Sequence, residues 1–354
     1  MGQASSAFFA ALEEAPGHVA AHLLRLLFAP QSHFSLLSLV AALGFAALFL
    51  ILRRKRRDIR ARVLFRALFP RSLFRAASCR TDASMMLFNV LIAGALFGGM
   101  LLSTSFVAGA ATKWLDATFG VQATALPPAA IALAATLSLY LAYEFAYWLD
   151  HYLKHRFAIL WAFHAVHHSA ERLTPLTNFR VHPVDTILFY NLVALLTGAT
   201  QGALTHLFGA GHEWTVGGAN LFVIASVFIV LHLQHSELWI TFRGRWSRIF
   251  LSPAHHQVHH SADPVHFNRN FGASLALFDH LFGTLHVPSA KREVTRFGLG
   301  PQRINPHGFA AMLVTPVVEA AAYAVKAVRL PNRRGGFTVR GSWRQHLRLT
   351  NSGV

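Results

Sequence analysis

Long apolar runs divided by arginine-rich stretches constrain this chain more than any other feature. Five runs, at about 34–52, 84–110, 125–149, 186–208 and 215–233, are long enough or nearly long enough to cross a bilayer. Lipid offers the backbone no hydrogen-bond partners, so spans of this kind are helical. A weaker stretch near 308–328 contains Pro316 and Glu319 and reads as interfacial or packed on the protein. Composition agrees: 54% of residues are hydrophobic and only 13% are charged. The expected fold is an all-α integral membrane protein with four to five transmembrane helices. Short connectors make runs two and three, and runs four and five, helical hairpins.

Charge orients these helices. The chain has 32 Lys+Arg against 15 Asp+Glu, a formal charge of +17. Eleven of the basic residues fall between Arg53 and Arg80, and six arginines punctuate the tail from Arg329 to Arg348. A nucleic-acid binder would carry its charge on a polar, soluble body. Here the arginines alternate with apolar runs, which fits the positive-inside bias and contact with anionic lipid; nucleic acid is not an expected partner. Val63, Leu64, Phe65, Leu68 and Phe69 interleave with the first basic cluster and give it the pattern of a surface helix. Following the crossings from that cytoplasmic loop brings residues 151, 232 and the basic tail to the cytoplasmic face. Gly2 and Ser6 match a myristoylation pattern weakly. Three regions follow: an anchor helix with a basic segment (1–83), a catalytic unit (84–290), and a basic tail with an interfacial helix (291–354).

Histidine supplies the chemistry. Of 22 histidines, nine form four groups: His151/His155, His164/His167/His168, His235, and His256/His259/His260. Each group adjoins or lies between apolar runs on the same predicted face. Intervals of three and four residues set side chains on one helical stripe, and neutral imidazole is a common metal ligand. Nine exceed the three or four that one tetrahedral ion needs, so more than one ion is expected. The lone Cys79 excludes a cysteine-based site within the chain. No H-E-x-x-H or G-x-S-x-G occurs, which argues against a metalloprotease and a serine lipase. His206 and His212 fall at the opposite face. The buried-type acids Glu144, Asp150, Asp185 and Asp279 either orient imidazole N–H groups or pair with arginines such as Arg156 and Arg180. Aromatic residues near the histidines, among them Tyr147, Trp148 and Trp161, read as an interfacial belt.

The strings DHYLKH (150–155), WAFHAVHHS (161–169) and SPAHHQVHHS (252–261) resemble the three histidine boxes of the fatty acid hydroxylase/sterol desaturase superfamily. YWLDH, RVHP at 180–183, NFG at 270–272 and FDHLFGT at 278–284 match as well, and QHSEL at 234–238 is similar to the alkylglycerol-monooxygenase-like branch. The likeness covers about 140–290. It implies a di-iron centre with His151, His155, His164, His167, His168, His235, His256, His259 and His260 as ligands, and His232 as a tenth. His182 is implied to support the ligands; His255 and His266 are weaker candidates, and His280 is not expected as a ligand. Tyr152 and His280 stand where many relatives carry arginine. The implied activity is O2-dependent hydroxylation or desaturation of a lipid, with two iron ions, O2 as cosubstrate and electrons from a separate transfer protein. The alternatives are a histidine-rich metal-binding or transport protein and a zinc-holding form of the same fold. Transporters place ionisable ligands near the bilayer midplane, whereas these histidines lie at the ends of apolar runs.

Overall fold

The computed structural model describes residues 35–54, 76–209 and 213–329, apart from Ala123, Ala125, Thr295 and 301–306, with a few isolated residues before 35 and Arg62. The myristoylation pattern, most of the basic segment before Ala76, His212 and the tail after Arg329 lie outside the described residues.

The chain is mostly helical. In order, the principal elements are α1 (Leu36–Arg54), α2 (Ala77–Phe88), α3 (Thr104–Phe119), α4 (Pro128–Arg156), α5 (Ala158–His168), α6 (Pro183–Phe208), α7 (Leu221–Ser226), α8 (Pro253–His259) and α9 (Phe309–Arg329). A π-turn over Asn89–Ala93 and a tight turn over Gly98–Met100 carry α2 on towards α3. Another π-turn, Val227–Leu231, carries α7 to His232–Gln234. The described strands form one two-residue hairpin, Thr215–Val216 against Ala219–Asn220.

Among the described residues, four helical stretches are long and apolar enough to cross a membrane: Ala77–Phe119, Pro128–Arg156, Pro183–Phe208 and Phe309–Ala327. Runs 34–52 and 215–233 fall short, as Leu36–Leu52 and Leu221–Gln234. The hairpin consumes the start of the latter. Conversely, Pro316 and Glu319 do not interrupt α9. Its inner face packs on α5: Met312 is buried against Ala165 and Val166, and Ala320 against Ala162 and Phe163.

Helix α6 organises the bundle. It runs antiparallel to α4, with Asp185 beside Lys154 and Phe189 against Tyr147. It runs parallel to α3, and this contact depends on two glycines. A Cβ on Gly198 would lie 2.7 Å from Val107 Cβ, and one on Gly202 2.6 Å from the Ala108 carbonyl oxygen. Thr112 Oγ1 donates to the Gly202 carbonyl at 3.1 Å. Small-x-x-x-small spacing permits this close approach.

A cap of short helices and loops closes one end of the bundle. It contains α5, the turn Pro175–Phe179, α8 and the loops from 235 to 297. Both borders of the basic segment meet this cap. Ala42 and Ala46 of α1 share a buried cluster with Leu233 and Ile240, against which Phe49 and Leu238 pack. At the start of α2, Asp82 accepts Arg180 Nη1 at 2.9 Å and Thr177 Oγ1 at 2.7 Å. These contacts join residue 82 to 180 and 177, and α9 packs on α5.

Candidate metal centre

Local sequence explains how the histidines are delivered. Helix α4 continues two turns beyond Trp148 and carries His151 and His155 on one face. At α8, Ser252 begins the helix, Pro253 occupies its first turn, and His255 Nδ1 accepts the Ser252 N–H at 3.0 Å. His182 similarly caps α6: its Nδ1 accepts the Val184 N–H at 3.2 Å and its Nε2 donates to the Leu313 carbonyl at 3.1 Å. His182 and His255 are therefore helix caps rather than supports of the other imidazoles.

Nine of the ten histidines expected at the site converge into two buried groups. His151, His155, His164, His168 and His259 form the first; His167, His235, His256 and His260 form the second. Within each, one nitrogen per ring lies within 4.8 Å of all the others. His168 and His260 stack at 4.5 Å between ring centroids, so the groups adjoin. Each H-x-x-H-H string divides between them. His164 and His168 enter the first group and His167 the second; His256 and His260 enter the second and His259 the first. The sequence expectation of one shared stripe fails here for a geometric reason: residues at i and i+3 diverge enough in angle to address different centres.

His232 is the tenth. Its Nε2 lies 2.9 Å from Ser38 Oγ on α1, and it belongs to neither group. His280 and His266 are also outside both, and His206 pairs with Asp116 at 2.6 Å at the other end of α6.

The donor set suits metal ions. His235 Nε2 lies 3.2 Å from His167 Nε2, 3.2 Å from His260 Nε2 and 2.9 Å from His256 Nε2. One ring proton cannot serve three such contacts, whereas lone pairs about 3 Å apart are normal for neighbours on one cation with bonds of about 2.0–2.1 Å. In the first group, His155 and His259 bring Nε2 to 3.2 and 3.1 Å from His168 Nε2. The Nε2 atoms of His151 and His164 are buried without a hydrogen-bond partner. Their Nδ1 atoms are committed elsewhere: His151 donates to the Phe271 carbonyl at 2.9 Å, His164 to Asp185 Oδ2 at 2.9 Å, and His259 to the Arg269 carbonyl at 2.8 Å. Such bonds fix the tautomer and leave the Nε2 lone pair facing inward.

Burial keeps these rings neutral. Desolvation first, and neighbouring imidazoles second, hold His167, His168, His256 and His260 well below the ordinary imidazole range. Burial and then His232 bring His235 down to about 3; burial brings His259 to about 3 against the opposing Arg269 carbonyl bond. Neutral imidazoles are the ligand form.

Of the four acids expected to orient imidazoles or pair with arginines, Asp185 alone bonds a ring of either group. Asp150 pairs with Lys154, which also contacts Asp185. Glu144 accepts the backbone N–H groups of Ser274 and Leu275 at 3.1 and 3.0 Å. Asp279 accepts those of Phe271 and Gly272, both at 2.8 Å, so it positions the very loop whose carbonyl receives His151. Arg180 pairs with Asp82, not with these acids. Sequence reasoning overlooked Lys154, although Asp150 and Lys154 at i,i+4 are a visible pairing signal. It also assigned Trp161 to a belt, whereas Trp161 packs 4.8 Å from His155 and 5.2 Å from His168. Phe271 supplies a second apolar wall, 5.1 Å from His155 and 5.5 Å from His151.

Comparison with known proteins agrees with this geometry. Residues 136–284 match the family model for fatty acid hydroxylase. The chain is 31% identical over 173 residues to ornithine lipid hydroxylase OlsE of Rhizobium tropici, covering 49% of this chain and 47% of that protein. It is 28% identical over 155 residues to alkylglycerol monooxygenase of Danio rerio (43% and 30%), and 27% over 157 residues to that of Homo sapiens (44% and 31%). The matched segment thus spans less than half the length of these curated relatives. No solved structure matches the chain. Across residues 136–284, which include all nine converging histidines, the chain is similar to the fatty acid hydroxylase family and is a distant relative of OlsE and the alkylglycerol monooxygenases.

Proposed function

We propose that this chain is a membrane-bound, O2-dependent lipid hydroxylase whose two histidine groups hold a di-iron centre. The observation that carries this reading is the convergence of nine buried neutral imidazoles into two adjoining groups. The chemistry of an all-imidazole set alone also suits copper or zinc; the relatives' names, a hydroxylase and a monooxygenase, favour iron and oxygen insertion over desaturation. His232, on Ser38, is not among the proposed ligands.

When bound, the iron pair supplies activation of O2 for attack on a C–H bond. The protein's own residues hold and insulate it. Asp185, the Phe271 carbonyl and the Arg269 carbonyl fix three ring orientations. Trp161 and Phe271 exclude water from one side of the first group. Lys154 lies against both Asp150 and Asp185, so the buried carboxylate behind His164 has a cation beside it. The proposed substrate is a lipid with a polar headgroup, in keeping with both kinds of relative. The proposed electron donor is a separate protein that meets the histidine-bearing end, which we place on the cytoplasmic face from the arginine bias.

Lipid analysis of cells with and without the gene, grown under 18O2, tests the reaction. A lipid carrying 18O only in the expressing cells is the expected outcome. An unlabelled alkene would make the chain a desaturase, and identical lipid profiles would remove the assignment. About two iron atoms per purified chain are expected. His168→Ala and His260→Ala are each expected to abolish turnover while the protein remains in the membrane.

A further inference from the structure

A third cluster of ligand-type side chains lies in the cap, outside both histidine groups. It comprises His266, His286 and Glu293, whose ligand atoms lie within 4.8 Å of one another. His266 is buried, while the other two are partly open to solvent. Glu293 Oε2 lies 3.0 Å from His286 Nε2 and 3.6 Å from His266 Nε2. These values bracket the edge of about 3.3 Å expected between ligands on a tetrahedral ion with bonds near 2.0 Å.

The three residues come from the turn Pro264–His266 and from two points of the segment 286–293, and each is held by its own contacts. Asn270, buried and at φ 58°, brackets His286: its Oδ1 accepts the His286 N–H at 2.7 Å and its Nδ2 donates to the His286 carbonyl at 3.0 Å. The segment containing Glu293 is aligned on the His266 turn by the Ala262 N–H to Arg296 carbonyl bond of 3.0 Å. Glu293 Oε1 is engaged by the Ser289 N–H, which leaves Oε2 facing both rings. On the far side of its ring, His266 Nδ1 meets Ser261 Oγ at 2.9 Å, so its Nε2 is the nitrogen aimed at Glu293. The site is thus assembled before any ion arrives.

We propose that His266, His286 and Glu293 form a third, peripheral metal site that takes one zinc-class divalent cation, with water completing its shell. Two imidazoles and one carboxylate are a borderline N/O donor set of the kind zinc accepts, and three protein ligands with one open position are a common zinc arrangement. The bound ion would clip the segment 286–293 to the turn that follows His259 and His260, and so brace the third histidine string from behind.

Titration of the full-length protein in detergent with Zn2+ alone tests this. Wild type is expected to take up one equivalent more than His286→Ala or Glu293→Gln, with affinity at that site lowered by more than ~10-fold in each variant. Zinc is also expected to raise the thermal midpoint of wild type more than that of Glu293→Gln. Uptake by the nine other histidines is common to all three proteins and cancels, so the outcome is independent of the reaction proposed above. Equal uptake and equal thermal response in wild type and both variants would overturn the site. Should His286→Ala fail to accumulate, Glu293→Gln decides, because its amide oxygen still accepts the Ser289 N–H.

Discussion

Asp185 shows how much of this centre is built from single contacts. It accepts His164 Nδ1–H, touches Lys154, and lies in the first turn of α6, two residues after Pro183. Asp185→Asn keeps the volume but weakens the bond that orients His164. Metal retention in the first group should drop by about 10- to 100-fold, read as faster loss of metal to a chelator; unchanged retention would reduce Asp185 to a charge partner for Lys154. Arg180 illustrates the structural counterpart. It is fully buried, and Arg180→Ala strands the Asp82 carboxylate, with an expected cost of about 3–5 kcal/mol. The lower end is expected because Thr174 and Thr177 still donate to Asp82; a lowered thermal midpoint in detergent is the measurement. At this scale the sequence was unusually legible, since helical spacing and resemblance together picked out ten histidines, of which nine converge. The residues it could not deliver, such as Asn270 and Phe271 acting through backbone groups, carry no side-chain signature of that work.

Between elements, the closest packing joins α3 to α6 through Gly198 and Gly202. Gly202→Val would press a branched side chain onto the Ala108 carbonyl and Ala111. The expected destabilisation is about 1–3 kcal/mol, checked by the thermal midpoint. A neutral result would mean that α3 can move outward without consequence. The apolar runs predicted most of the elements, but not which would be long enough to cross. Hydropathy registers Pro316 and Glu319 as interruptions, whereas α9 absorbs them while packed on α5. Nor could periodicity show that α6 packs along both α3 and α4, because partner choice lies in small-residue spacing rather than in the hydrophobic pattern.

Taken whole, the molecule gathers its neutral histidines at one end of a basic bundle. Reporter fusions after Arg60 and after Pro288 should both give a cytoplasmic signal; an external signal at either would break the shared-face arrangement. The same burial sets a pH dependence. His235 and His259 are held at about 3, against ~6.5 for a free imidazole. The unfolded chain therefore binds more protons between those values. Stability from these rings is complete above about pH 6.5 and is lost as pH falls towards 3. The thermal midpoint of metal-stripped protein should accordingly decline from pH 7 to pH 5, and a flat profile would contradict the buried, neutral state. One consequence concerns distance. The pairs His167–His168 and His259–His260 each send one ring to either group, so the separation of the two groups is tied to consecutive Cα atoms about 3.8 Å apart. Covalent bonds act here as two fixed spacers. The pitch between the two groups is thus set within each pair, and a single residue inserted within either pair would pull the rings out of register.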